Sequence, residues 1–78
     1  MNVISGAQCR MARGLLNWSV SELASLAGLG VSTVKRIEKE DGVLAQAQVS
    51  TLEAVHQAFT GTGKVEFLDL NGVVFTGD

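Results

Sequence analysis

One cysteine, one histidine and no tyrosine stand among the 78 residues of the chain. A lone cysteine, Cys9, cannot close an internal disulfide, and Cys9 with His56 cannot supply the four ligands of a structural zinc site. Cys9 is therefore read as a small core residue. Long apolar runs are also missing: apolar residues make up 46% of the chain, yet none of its runs approaches the roughly 18 residues needed to cross a bilayer. No basic-then-apolar leader opens the sequence. The expectation is a soluble, cytoplasmic protein without membrane association. Charge is sparse as well, at 18% of residues with a net value of −2, which taken whole speaks against a nucleic-acid partner.

Split along the chain, the charge tells a different story. Residues 1–39 carry Arg10, Arg13, Lys35, Arg36 and Lys39 against Glu22 and Glu38, a balance of +3. Residues 40–78 carry Lys64 against Glu40, Asp41, Glu53, Glu66, Asp69 and Asp78, a balance of −5. Positive charge is thus gathered in one half, as a local DNA-facing patch requires, although a merely solvated face gives the same count. A chain this short buries only about 60% of its unfolded surface, so contact with a second copy would add stability that one copy lacks.

Three helix starts are marked by one recurring device. In "ISGAQC", "WSVSEL" and "VSTLEA" an apolar residue precedes a serine, with Gln or Glu three places on. Ser5, Ser19 and Ser50 can each accept from an orphaned backbone N–H, while Gln8, Glu22 and Glu53 reach back to the cap residue. Trp18, before the second cap, faces Leu23 at the fourth helical position, a hydrophobic staple that makes Trp18 a packing residue rather than a platform for bases.

These starts predict helices over about 6–16, 20–27 and 51–60, with Gly28 and Gly61 at two of the ends. Between them, "GVSTVKRIEKE" has Gly30 as a cap and Val34 and Ile37 at helical spacing, predicting a further helix over about 31–39. The tail "GTGKVEFLDLNGVVFTGD" contains Asn71-Gly72, a dipeptide suited to a type I′ turn, and predicts antiparallel strands over about 64–69 and 73–76. Residues 1–62 and the hairpin of 63–78 are read as parts of one domain.

The second and third predicted helices meet across a short glycine-containing turn, the arrangement of a helix-turn-helix. Here "LLNWSVSELASLAGLGVSTVKRIE" resembles the Xre/Cro type of bacterial and phage DNA-binding domain, over roughly residues 5–60 and most strongly from Arg13 to Glu38. Leu23, Ala24 and Ala27 match the packing positions of that family's second helix, Gly28 its turn, and Val34, Ile37 and Glu38 the end of its recognition helix. The resemblance implies an ion pair between Arg13 and Glu38 with a structural role. It also implies a mainly α fold: a four-helix Xre/Cro-like (lambda repressor-like) helix-turn-helix domain, here with a C-terminal β-hairpin.

Departures from the family's pattern bear on function. Val20 stands where the family commonly has a glutamine that reaches DNA, and valine cannot hydrogen-bond. Val31, Ser32 and Thr33 occupy the start of the recognition helix, where longer polar residues commonly meet base edges; valine can pack on a thymine methyl, and serine discriminates little. Glu40 and Asp41 follow that helix where related domains approach phosphate, and their charge opposes binding.

Ser32, Lys35, Arg36 and Lys39 share one helical face, opposite Val34 and Ile37. Arg36 is the candidate for guanine, because its planar fork can bond two acceptors on that base; Lys35 and Lys39 suit phosphates, with Arg10 at the margin. The alternative is an ordinary solvated face. The candidate DNA-binding set is therefore Val31, Ser32, Thr33, Lys35, Arg36, Lys39 and Val20.

No enzyme is expected. His56 is read as a packed or half-exposed residue of the last helix, and "GTG" at 61–63 lacks the strand-loop-helix setting of a phosphate cradle. Neither cofactor nor metal is implied. The tail poses another question, since Val65, Phe67, Leu68, Leu70, Val73, Val74 and Phe75 are more apolar than one buried strand face explains. One face can pack on the helices while an edge pairs with a second copy across a twofold axis, giving Val65, Phe67, Leu68, Val73 and Phe75 as a dimer interface; the alternative is a hairpin folded onto its own helices. The sequence thus points to a homodimeric transcriptional regulator acting on double-stranded DNA. The runner-up is a protein-interaction module of the same fold that has lost DNA binding.

Overall fold

The computed structural model describes residues 4–43, 47–68 and 72–77. Among them, four helices precede two short strands: α1 (Gly6–Leu16), α2 (Val20–Ala27), α3 (Val31–Glu38), α4 (Val49–Thr60), β1 (Val65–Phe67) and β2 (Val73–Phe75). The strands form one antiparallel pair. No helix among these residues is long and apolar enough to cross a membrane.

Local chemistry accounts for the first two helix starts. Ser5 Oγ accepts from the Gln8 N–H at 3.0 Å and Gln8 Oε1 accepts from the Ser5 N–H at 3.0 Å. The same reciprocal box closes α2, with Ser19 Oγ and the Glu22 N–H at 3.0 Å and Glu22 Oε1 and the Ser19 N–H at 2.9 Å. Each box satisfies two donors that a helix start otherwise leaves open. Asn17 ends α1 and Gly28 ends α2, both in the left-handed region with φ of 59° and 70°. Glycine adopts that conformation without the Cβ clash that disfavours it elsewhere.

The fourth helix departs from expectation. It begins at Val49 with Gln48 as its cap residue and no capping side chain, so Ser50 lies inside the first turn and the Ser50–Glu53 box does not form. The Thr51 and Leu52 N–H groups donate to the Gln48 carbonyl instead. Ala47, just before this start, packs against the core. The third helix ends one residue short of the predicted span, with Lys39 as its C-cap.

The core is built from the apolar spacings of each element. Cys9 and Ala12 of α1, Leu23 and Ala24 of α2, Val34 and Ile37 of α3, Leu52, Val55 and Phe59 of α4, and Val65 of β1 are all buried, with Ile4 closing one end. Burying a side chain of this size contributes about 1.5–3 kcal/mol, so these few residues carry most of the favourable energy of folding. Trp18 stacks on Phe59 with centroids 5.4 Å apart, Phe59 meets Phe67 edge-on at 5.8 Å, and Phe67 meets His56 at 5.1 Å. That series of rings ties the entry to α2, the length of α4 and the hairpin together.

A second seam joins α1 to the chain that leaves α3. The Gly6 N–H donates to the Gly42 carbonyl at 3.0 Å and the Ala7 N–H to the Asp41 carbonyl at 3.2 Å, filling donors of the first turn of α1. The approach is so close that a Cβ on Gly6 would lie 1.8 Å from the Glu40 carbonyl oxygen and 2.3 Å from that of Ile37.

The hairpin also differs from its predicted form. Val65 pairs with Phe75, Glu66 with Val74 and Phe67 with Val73, and the Leu68 N–H donates to the Gly72 carbonyl at 2.9 Å. A two-residue turn at Asn71-Gly72 would pair Leu70 with Val73, so the connection is longer and the register is displaced from the type I′ expectation. Asp69, Leu70 and Asn71 lie outside the described residues. Both strands are shorter than predicted, because Gln8 of α1 takes over where pairing stops: its Nε2 donates to the carbonyls of Leu68 at 2.8 Å and Gly72 at 3.1 Å.

Candidate nucleic-acid interface

The surface of α3 divides as its spacing dictates. Val34, Ile37 and Glu38 are buried, whereas Ser32, Lys35, Arg36 and Lys39 stand on the opposite side and are exposed. Positions separated by three, four and seven residues line one side of a helix, so the polar stripe follows directly from the apolar one. Val31 is exposed at the helix start and Thr33 is half-buried. Gly30 caps α3 without a side-chain bond, which leaves the first N–H groups of α3 without a capping side chain. Val20, at the start of α2, is half-buried and packs against the core. Among the described residues, neither Lys35, Arg36 nor Lys39 is paired with a carboxylate, and none is bonded through its side chain.

The other two cations of the basic half are engaged internally. Arg13 lays its fork on Glu38, with Nε 2.7 Å from Oε2 and a second guanidinium nitrogen 2.8 Å from Oε1, while its third nitrogen donates to the Trp18 carbonyl at 3.0 Å. Those three bonds join α1, the entry to α2 and the end of α3. The bond to Glu38 raises the Arg13 pKa, more than burial lowers it, so the guanidinium stays charged. Cys9 adds a bond from its thiol to Glu38 Oε2 at 3.2 Å. Burial, reinforced by that carboxylate, pushes the thiol far above its ordinary range and leaves it unreactive.

Arg10, placed from the sequence at the margin of the basic stripe, is engaged with the end of α3. It donates to the Glu38 and Glu40 carbonyls and pairs with Asp41 at 2.7 Å, closing the C-terminal end of α3 against α1. The carbonyls exposed at a helix end and the carboxylate beyond them both attract a cation, which accounts for its position. Asp41 is thereby neutralised in part, and its backbone is turned toward α1.

No protein-family model, no curated protein and no solved structure matches this chain.

The hairpin residues divide into two groups. Val65 is 5% exposed and belongs to the core, so it offers nothing to a partner, and Phe67 and Val73 pack on the helices of their own chain. Cross-strand partners share a face, so Val65, Phe67, Val73 and Phe75 lie on one face, which is covered by the helices as far as Val65, Phe67 and Val73 and open at Phe75, while Glu66 and Val74 lie on the other. Leu68, Val74 and Phe75 remain exposed. On that inward face Phe67 meets Phe59 edge-on, so the hairpin covers the ring of Phe59.

The sequence did not reveal the bonds of Arg10 to the end of α3 or the second task of Gln8. Arg10 lies one helical turn before Arg13 on α1, a spacing that could have shown two cations aimed at the same helix end. No local signal reveals that the Gln8 amide spans to the hairpin. Among the described residues no group of three or more His, Cys, Asp and Glu side chains is placed to hold a metal ion.

Proposed function

We propose that the chain is a sequence-specific DNA-binding transcriptional regulator of the Xre/Cro helix-turn-helix type, acting as a homodimer in the cytoplasm. One observation carries this reading: of the cations in residues 1–39, Arg10 and Arg13 are bound internally, while Lys35, Arg36 and Lys39 are left outward and unpaired on one side of α3. Three clustered, unopposed cations on an exposed helix suit a phosphate backbone and the groove beside it. In this reading Arg36 bonds a guanine, Lys35 and Lys39 touch phosphates, Ser32 and Thr33 contribute polar contacts, and Val31 packs on a thymine methyl. Val20 lends packing at the backbone rather than a hydrogen bond. Leu68 and Val74 on the outer face, with the open edge of β2 where Phe75 stays exposed, form the surface through which two copies pair, setting two α3 helices on successive major-groove turns. With no catalytic or ligand-sensing group assigned, regulation follows from occupying or recruiting at the operator.

A second reading keeps the fold and replaces DNA with a protein partner. Leu26, 62% exposed near the end of α2, and Val31 at the start of α3 favour it, because apolar side chains on the presented surface suit a protein better than a phosphate backbone. Fluorescence anisotropy of a labelled pool of random-sequence duplexes separates the two. DNA binding through α3 gives affinity that falls with salt by a log-log slope of about −2 for one chain and about −4 for a homodimer, since the two phosphate contacts of each chain contribute about −0.9 apiece. The Lys35→Ala/Arg36→Ala variant should lose that binding. Unchanged binding in the variant removes α3 from the interface, and no binding even at low salt favours the protein partner. Sedimentation of Phe75→Asp against the unaltered chain checks the pairing surface: a mass of one chain for both would refute the dimer.

A further inference from the structure

We propose that the β-hairpin is an acid-sensitive latch, released from α4 when His56 is protonated. The proposal does not depend on DNA binding. It begins with the hairpin itself: two strands of three residues cannot hold together in water unaided, so the hairpin keeps its place only by docking. It is held at one end by Gln8, whose amide spans the Leu68 and Gly72 carbonyls, and along its inner face by Val65, Phe67 and Val73. Phe67 is the reach of β1 onto α4, with Phe59 on one side and His56 on the other.

His56 sits under that anchor. Its ring lies 5.1 Å from the Phe67 ring at a tilt of 36°, and its Nδ1 is enclosed with no hydrogen-bond partner among the described residues. A neutral imidazole tolerates this arrangement by carrying its proton on Nε2. Protonation puts an N–H at Nδ1 where there is no acceptor, and a donor enclosed without a partner is unfavourable. The attraction of an imidazolium for the Phe67 face supplies no acceptor for that proton. Water must therefore reach Nδ1, and in this proposal the side chain that gives way is Phe67, whose ring packs against the imidazole.

The surrounding charges do not reverse this. Glu53, one turn earlier on α4, favours the protonated ring, but burial outweighs it and His56 titrates below its ordinary 6.5. On α2 the charged residue is Glu22, engaged in its capping box with Ser19. On β1 it is Glu66, which pairs across to Val74 on the outer face, and Lys64 precedes the strand. A pKa lowered in the docked state means that the contribution of a neutral His56 to docking is fully present above the free value and is lost as pH falls through the docked value. Release would bare Val65, Phe67 and Val73, the apolar face that docking conceals.

NMR spectra of the full chain between pH 7.5 and 5.0 test the latch, with the ring Cε1–H of His56 reporting protonation. The expected result is that Val65–Phe67 and Val73–Phe75 shift or broaden with the same midpoint as His56, below 6.5, while α1 and α3 hold steady. In His56→Phe, and equally in His56→Gln, the hairpin resonances should stay unchanged over this range. A hairpin that does not respond while His56 titrates in the unaltered chain would overturn the proposal, as would an equal response in either folded variant.

Discussion

Replacing Arg13 by methionine would strand a carboxylate. Glu38 is 8% exposed and would keep only the Cys9 thiol, a weak donor, as its partner. Removing one member of a buried pair costs about 3–5 kcal/mol because the remaining charge cannot rehydrate. Replacing Glu38 by leucine is less severe, since the Arg13 side chain is 23% exposed and retains its bond to the Trp18 carbonyl. Its guanidinium can turn to water, and about 1.5–3 kcal/mol is expected from the lost charge-assisted bonds. The double variant Arg13→Met/Glu38→Leu should be more stable than Arg13→Met alone, because well-packed apolar residues replace a buried pair at little net cost. Urea unfolding followed by the fluorescence of Trp18, stacked on Phe59, measures all four proteins. For a domain of this size, 3 kcal/mol corresponds to a midpoint lowered by roughly 12–24 °C in a thermal scan. Additive losses in the double variant, or a Glu38→Leu loss exceeding that of Arg13→Met, would refute the reasoning from unequal burial.

Gly6→Ala should destabilise by about 3 kcal/mol or more, since its Cβ would meet the backbone carbonyls of Glu40 and Ile37 and backbone yields less readily than side chains; a shift in urea midpoint worth less than about 1 kcal/mol would show that the end of α3 gives way easily. Gln8→Ala removes both a capping-box bond and the two bonds to the hairpin, and about 2 kcal/mol should be lost. Hydrogen exchange at Leu68 should quicken well beyond the exchange of α4, and equal changes throughout would point to global unfolding alone. Cys9 should resist iodoacetamide at pH 8 in the folded chain and react on unfolding in urea, because the thiol is enclosed and held protonated; rapid labelling of the folded chain would contradict its burial.

What could be read in advance divides by the range of the forces involved. The Ser5–Gln8 and Ser19–Glu22 boxes are complete within four residues, so the spacing of their side chains sufficed to place α1 and α2. The polar and apolar sides of α3 followed from helical period alone, and with them the exposure of Lys35, Arg36 and Lys39. At Ser50 the same local signal is not used: α4 starts at Val49, and Ala47 just before it packs on the core, a contact no local window contains. The displaced hairpin register has a similar cause, since Gln8, far back in the chain, bonds the carbonyls where an Asn71-Gly72 turn was expected to fix pairing. Arg10 was misplaced because its charge was read as surplus, whereas the helix end that absorbs it becomes visible only once α1 and α3 lie together. Likewise the pairing of Trp18 with Phe59 joins residues that no window of sequence compares.

The donors at the start of α1 make that helix depend on a part of the chain that is synthesised after α3. Both α1 and α2 carry a serine box at the start and a left-handed residue at the end, Asn17 and Gly28. In α1 the Gly6 and Ala7 amides donate in addition to the carbonyls of Gly42 and Asp41. Local opening of the exit from α3 therefore also frees the first two amides of α1. The exchange rates of the Gly6 and Ala7 amides consequently time an event at the far end of α3 rather than the fraying of the chain terminus.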